Sequence, residues 1–162
     1  MPLTLAIARV GREREVMLRT LCQHYVHDMS EWFGNDVQPD GSFAYDMERW
    51  WTQRDVYLAS AAGVPVGFAV VGPAGHWTGD PASHEVAEFF VLRKYRGRGA
   101  GRSLARLVWD QYPGEWLVRV LEANLPAVPF WRKAVATLSD LHREERLVIA
   151  DRAWRFFRFN RD

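Results

Sequence analysis

The chain has 162 residues, enough for one domain with a proper core, and its 48% hydrophobic and 25% charged residues exclude a disordered chain. A formal net charge of +1 excludes a global pull toward nucleic acid or an anionic membrane, and no apolar run reaches the roughly 18 residues that a membrane span needs. The single cysteine, Cys22, excludes an intramolecular disulfide and a cysteine-based zinc site.

Residues 3–10, LTLAIARV, alternate loosely and predict a first strand. From Arg12 to about Tyr25 the pattern turns helical, with Leu18, Leu21, Cys22 and Tyr25 at i, i+3, i+4 and i+7, so Cys22 reads as buried filler. The stretch SEWFGNDVQPDGSFAY carries Gly34, Asn35, Pro39 and Gly41 and predicts a loop or a broken helix, with a short helix over 46–52. DVYLASAAG and VPVGFAVVG form a predicted antiparallel hairpin, and HEVAEFFVL is a strand after the turn-rich PAGHWTGDPAS. A helix follows with Leu104, Leu107 and Val108 on its apolar stripe, ending before Pro113. EWLVRVL is a strand, and NLPAVPFWRKAVATL a helix that is expected to settle only after Pro129. LHREERLVIA and DRAWRFFRFN close the chain as two strands around a turn near Asp151. Helices alternating with strands, flanked by hairpins, predict an α/β (mixed α+β) fold: a single domain with one mixed sheet of about seven strands and about four helices.

The stretch YRGRGAGRSL, residues 95–104, joins a predicted strand to a predicted helix. The first N–H groups of a helix lack internal partners and sit at the positive end of its dipole, so a glycine-rich turn there suits a pyrophosphate. A Walker loop would need Gly-Lys-Ser/Thr, and a dinucleotide fingerprint G-x-G-x-x-G; this chain runs G-x-G-x-G, deep in the sequence and after a hairpin.

FFVLRKYRGRGAGRSLA resembles instead the signature of the GNAT superfamily of acyl-CoA-dependent N-acyltransferases, in which a strand and a short basic turn lead into Arg/Gln-x-x-Gly-x-Gly/Ala at a helix start. NLPAVPFW resembles the family's downstream Asn-x-x-Ala-x-x-aromatic-aromatic segment, and the order of elements fits across essentially the whole chain. The resemblance implies a cytoplasmic N-acetyltransferase that uses acetyl-CoA, without a metal, and transfers acetyl to a primary amine of a small molecule or of a peptide or protein. The opening MPLTLAIARVGRERE turns charged too early for a secretory signal, in keeping with that location. Homodimers are common in the family. A non-catalytic acyl-CoA sensor is the alternative, and nucleic-acid binding is not expected because basic character is confined to one turn.

Carried over residue by residue, the resemblance implies that backbone groups of Phe89, Phe90 and Val91 pair with the pantetheine arm. Main-chain N–H groups of Gly97, Arg98, Gly99, Ala100, Gly101 and Arg102 would hold the pyrophosphate, and the basic stretch of Arg93, Lys94, Arg96, Arg98, Arg102 and Arg106 would attract the ribose phosphate; Asn124 would bond the pantetheine side, and Phe130 and Trp131 would line the thioester end. Catalysis would need a base for the ammonium and a donor for the oxyanion, the latter being the Val91 N–H. Glu85 and Glu88 are the candidate bases, with His84 and His76 behind them; the two glutamates have opposite strand parity, so an undistorted strand cannot point both into the cleft, and a bulge expected near Phe90 would change which one faces it. Many members carry tyrosine where this chain has Trp131, and an indole supplies no acidic proton; either the thiolate leaves without an acid, or a hydroxyl such as Tyr112 or Tyr45 substitutes, and Trp131 is then a packing residue. The aromatic and acidic segment 25–51, with Asp28, Glu31, Asp36, Asp40, Asp46 and Glu48, would suit a cationic amine, or else forms core and solvated surface.

Overall fold

The structure is a computed structural model that describes residues 3–162. Its strands are β1 (Ala6–Val10), β2 (Asp55–Ala61), β3 (Val64–Pro73), β4 (His84–Val91), β5 (Gly114–Leu121), β6 (Arg143–Ile149) and β7 (Arg152–Arg161). They form one sheet in the order β1-β2-β3-β4-β5-β7-β6, antiparallel throughout except for the parallel β4–β5 pair. The helices are α1 (Glu15–Phe33), α2 (Glu48–Thr52), α3 (Gly75–Thr78), α4 (Ala100–Trp109) and α5 (Ala127–Ala136). The mixed sheet and its topology match the expected class; α3, a single turn in the glycine-rich stretch after β3, adds a fifth helix. Among the described residues no helix is long and apolar enough to cross a membrane.

Alternation in the strands assigns the two faces. Ala69, Val71, Val86, Trp116, Val118 and Phe157 meet α4 and α5 through Leu104, Val108, Trp109 and Trp131. Leu58, Phe68, Val70 and Phe90 point the other way, against Leu18, Cys22 and Val26 of α1 and Trp50 of α2. Both faces of the central strands are therefore buried, which is why VPVGFAVVG reads as a continuous apolar run. Cys22 lies inside this packing, and burial pushes its thiol up to about 12, so it stays a neutral core group.

Two helix boundaries differ from expectation for local reasons. α1 runs two turns past Tyr25 and stops where Gly34 takes a left-handed conformation, φ 70°, with its N–H on the Ser30 carbonyl. α5 starts at Ala127, before Pro129; the first four N–H groups of a helix have no internal partner, so proline at its third position removes nothing.

The β3–β4 pair is unusually close at one point. A Cβ on Gly67 would lie 2.0 Å from the Phe90 carbonyl oxygen, so only glycine lets β3 follow β4 to its end. This close approach lies directly beside the turn that precedes α4.

Candidate active site

The turn before α4 leaves main-chain donors open at a helix start, the shape expected of an anion cradle. Gly97 and Gly99 hold φ of 70° and 83°, a region that side chains with a Cβ avoid, and a Cβ on either would meet no protein atom within 4 Å. The first bond of the helix is donated by Ser103 to the Gly99 carbonyl, so the N–H groups of Ala100, Gly101 and Arg102 lie ahead of the helical ladder. Gly101 is small for a different reason: a Cβ there would come within 3.0 Å of the Phe130 ring, which closes on the first turn of α4 from α5.

The strand that leads into the turn is half unpaired. β4 and β5 are bonded only from His84 to Val86, opposite Trp116 to Val118, after which they diverge. Phe89, Phe90 and Val91 remain in register with Ala69, Phe68 and Gly67 on β3, but on the β5 side they have no strand neighbour. Beneath the gap, Phe89 packs edge-on to Trp131, ring centres 4.7 Å apart, and against Phe130 at 6.0 Å. The result is a splayed pair of strands with an aromatic floor and a donor-lined turn at its open end.

The strand irregularity lies at Ala87, not near Phe90 as expected. Val70 registers with Glu88 and Val71 with Val86, leaving Ala87 as the extra residue. That one residue corrects the parity of the two carboxylates and turns both toward the α1 side of the sheet. Their environments differ. Glu85 is buried and receives the Nε of Arg119 at 2.8 Å. Glu88, 19% exposed, accepts hydrogen bonds from the hydroxyls of Tyr25 and Tyr45, with an Nη of Arg54 at 3.9 Å. Burial raises the Glu88 carboxyl above the ordinary range; the two hydroxyls and the Arg54 and Arg119 charges oppose that without cancelling it. Burial, then the Glu88 charge, raises both tyrosines, so both hydroxyls stay protonated donors.

A family model described as "Acetyltransferase (GNAT) family" matches residues 20–135. The chain is a member of the GNAT family. No curated protein sequence matches it. Among solved structures, it resembles an acetyltransferase from Thermus thermophilus (15% identity, TM-score 0.69, 98% of each chain covered). It also resembles yncA, a putative acetyltransferase from Salmonella typhimurium with its cofactor acetyl-CoA (16%, 0.65, 98% of this chain and 94% of that one). A third likeness is to Arabidopsis thaliana Naa50 in complex with the bisubstrate analogue CoA-Ac-MVNAL (16%, 0.64, 98% and 100%). At these identities the likeness is one of fold.

The remaining candidates of this GNAT chain are dispersed. Arg96 leaves the cradle: its guanidinium donates to Asp28 at 2.6 Å and to the Val91 carbonyl at 2.7 Å, while Arg93 donates to the other Asp28 oxygen at 2.7 Å. Burial works to raise the Asp28 carboxyl, but these two arginines hold it below the usual range, so α1 is clamped to the end of β4. Asn124 sits between β5 and α5, its backbone carbonyl accepting the Ala127 N–H and its side chain against Met29 of α1. Trp131 is 7% exposed and wedged among Phe89, Trp109 and Phe130.

Tyr112 and His84 lie at the other end of β4. Tyr112 bonds Tyr57 and Asp55, and the His84 ring stacks on Tyr112 at 4.6 Å, burial lowering its pKa. His76 is an exposed residue of α3. Neither histidine nor Tyr112 joins the glutamates. The expected acidic rim is largely consumed: besides Asp28, Glu48 pairs with Arg12, while Asp40 and Asp46 receive backbone N–H groups of their own turns.

Tyr25 is the neighbour of Glu88 that its helical spacing assigns to the core. It shares the helical stripe of Leu18 and Cys22, and nothing local separates it from them; only the approach of α1 to β4 gives its hydroxyl a carboxylate. Tyr45 is held in place by Gln23, whose side-chain amide donates to the Phe43 carbonyl at 2.9 Å and accepts the Phe43 N–H at 2.7 Å. Among the described residues no group of three or more His, Cys, Asp or Glu side chains could hold a metal ion.

Proposed function

We propose that the protein is an acetyl-CoA-dependent N-acetyltransferase in which a primary amine attacks the thioester directly in a ternary complex. The observation that carries this reading is the union of a free donor turn at Gly97–Arg102 with the splayed β4–β5 pair, beside the partly buried Glu88 carboxylate. The unpaired N–H groups of Ala100, Gly101 and Arg102 would meet the diphosphate, and the open edge of Phe89–Val91 the amide-rich pantetheine arm. Arg98, which lines a groove of about 610 Å³ with Leu3, Thr4 and the β2–β3 turn, would meet the phosphate-bearing ribose. Acetyl-CoA supplies an acetyl group activated as a thioester.

Glu88 is the proposed base. An amine is mostly protonated at neutral pH, and a carboxylate of raised pKa takes its proton more readily than one of ordinary pKa. The neutral amine nitrogen then bonds the thioester carbonyl carbon, whose oxygen the Val91 N–H would stabilise; the C–S bond breaks with its electron pair going to sulfur, and the surplus proton on nitrogen passes to the departing thiolate or to water. Trp131 supplies no acidic proton and Tyr112 lies at the far end of β4. The thiolate, of modest basicity, would leave without an acid at that position.

The direct test is release of CoA thiol against a panel of amines, run beside calorimetric binding of acetyl-CoA. Turnover supports the reading; binding without turnover of any amine would favour a sensor, and absence of binding would remove both. Tyr25→Phe offers a finer check. Removing one hydroxyl that holds Glu88 ionised should raise its pKa further, so the acid limb of kcat/KM moves to higher pH. Initial rates from mildly acidic to alkaline pH would measure this, and an unmoved limb would mean that Glu88 does not control it.

A further inference from the structure

The two lips of the splay carry opposite charge on the same face. Glu88 stands on the β4 lip. Arg119 is the first β5 residue beyond the last β4–β5 pair, Val86 with Val118. It lies on the α1 side with Leu117, since it registers with Phe156, which packs with Leu117 and Ala74.

Arg119 is unusually well fixed for a residue at the mouth of a cleft. Its Nε donates to Glu85, its guanidinium stacks on the Trp77 ring 4.7 Å from the centroid, and the side chain is only 25% exposed. Among the described residues its two terminal nitrogens, Nη1 and Nη2, donate to no protein group. A guanidinium held rigid and mostly withdrawn from water, with its terminal donors unused, is suited to a planar anion. The local charges, Glu85 and Glu88 against Arg54 and Arg119, sum to zero and so match a zwitterion better than a simple cationic amine.

We propose that Arg119 is a specificity-determining residue that grips a carboxylate of the acceptor, so that the acceptor is a free amino acid or a similarly short amino carboxylate. The amine lies toward Glu88 and the carboxylate toward Arg119. A peptide or protein N-terminus carries a neutral amide where this site offers a cation, and is not the preferred acceptor. This rests on the acetyl-transfer reading given above.

The experiment uses the wild-type protein with saturating acetyl-CoA and a panel of amino acids with apolar, polar, acidic and basic side chains. Each is supplied as the free acid, the carboxamide and the decarboxylated amine, beside a pentapeptide. The free acid of at least one set should exceed its amide and amine in kcat/KM by about 10- to 100-fold, the worth of hydrogen bonds to a charged group. Arg119→Lys keeps a cation for Glu85 but loses the planar fork. It should lower the free acid's kcat/KM through KM by about 10-fold and collapse the acid-to-amide ratio, whereas a merely structural role would leave that ratio unchanged.

Equal rates across every set, preference for the pentapeptide, or an unaltered ratio in Arg119→Lys would overturn the proposal. If no acceptor is turned over, calorimetric titration of CoA-loaded protein with the same compounds decides it. Binding that depends on the carboxylate supports it, and no such binding overturns it. Loss of acetyl-CoA binding in a parallel titration would strike the acetyltransferase reading instead, so the two failures are distinguishable.

Discussion

Gly99→Glu is expected to abolish acetyl-CoA binding while leaving the protein folded. Gly99 precedes α4 with φ 83°, so any residue with a Cβ is strained there by about 1–2 kcal/mol. For a chain of this length about 1 kcal/mol lowers Tm by about 2–4 °C. The added side chain meets no protein atom near its Cβ, so it does not force the core apart. It projects instead into the open space over the turn, bringing a negative charge to where the diphosphate would lie. Like-charge contact of this kind costs several kcal/mol, so affinity should fall by about 100-fold or more.

Gly99→Ala separates the causes, because it shares the strain but adds neither length nor charge, and should lose far less. Calorimetric titration with acetyl-CoA, paired with thermal melts, measures both. Unchanged affinity in a folded Gly99→Glu protein would place the cofactor elsewhere.

Glu88→Gln is expected to lower kcat by about 100- to 10,000-fold, the range over which a positioned base contributes. The amide is nearly isosteric, its oxygen able to accept from one tyrosine hydroxyl and its NH2 to donate to the other, so the loss should come from the missing base rather than from lost packing. The pH profile supplies the sign. A base works only when ionised, and the Glu88 carboxyl is raised above the ordinary value. In the wild type, kcat/KM should therefore fall as pH falls through that raised pKa, and Glu88→Gln should remove this limb, leaving only the titration of the amine.

Glu85→Gln should behave differently. It leaves the mostly buried Arg119 guanidinium without its charge partner, so its main effect is a lower Tm, with the acid limb retained. A limb that vanished with Glu85 and persisted without Glu88 would reverse the two roles.

Much of this molecule was legible along the chain because the relevant physics is local. A turn with glycines at positive φ, followed by an apolar stripe at helical spacing, announces a helix start wherever it lands in space, and Gly97, Gly99 and Leu104 occupy those places. Strand runs bounded by turns reproduced the sheet's membership for the same reason. The two misjudged helix boundaries are local as well: the left-handed stop at Gly34 and the tolerance of Pro129 in a first turn are capping effects that a periodicity reading underweights.

The candidate site was legible in its residue types but not in its wiring. Glu85 and Glu88 were visible as carboxylates on the strand before the turn, yet their facing depended on an extra residue at Ala87, which exists only in the pairing of β4 with β3. Asp28 looked like part of an acidic rim until α1 brought it against Arg93 and Arg96, 65 and 68 residues away. Tyr25 and Tyr45 reach Glu88 across 63 and 43 residues, and Trp131 is committed to the core by neighbours on β4 and α4.

The sequence by itself determined the glycine-rich turn and the order of the strands and main helices, because backbone conformation and hydrophobic period are written residue by residue, and its motif carried the resemblance to the family. Only the tertiary structure decided which carboxylate takes two tyrosine hydroxyls and which is tied to an arginine. Solvation and charge pairing depend on what distant segments bring into contact, and no local pattern encodes them.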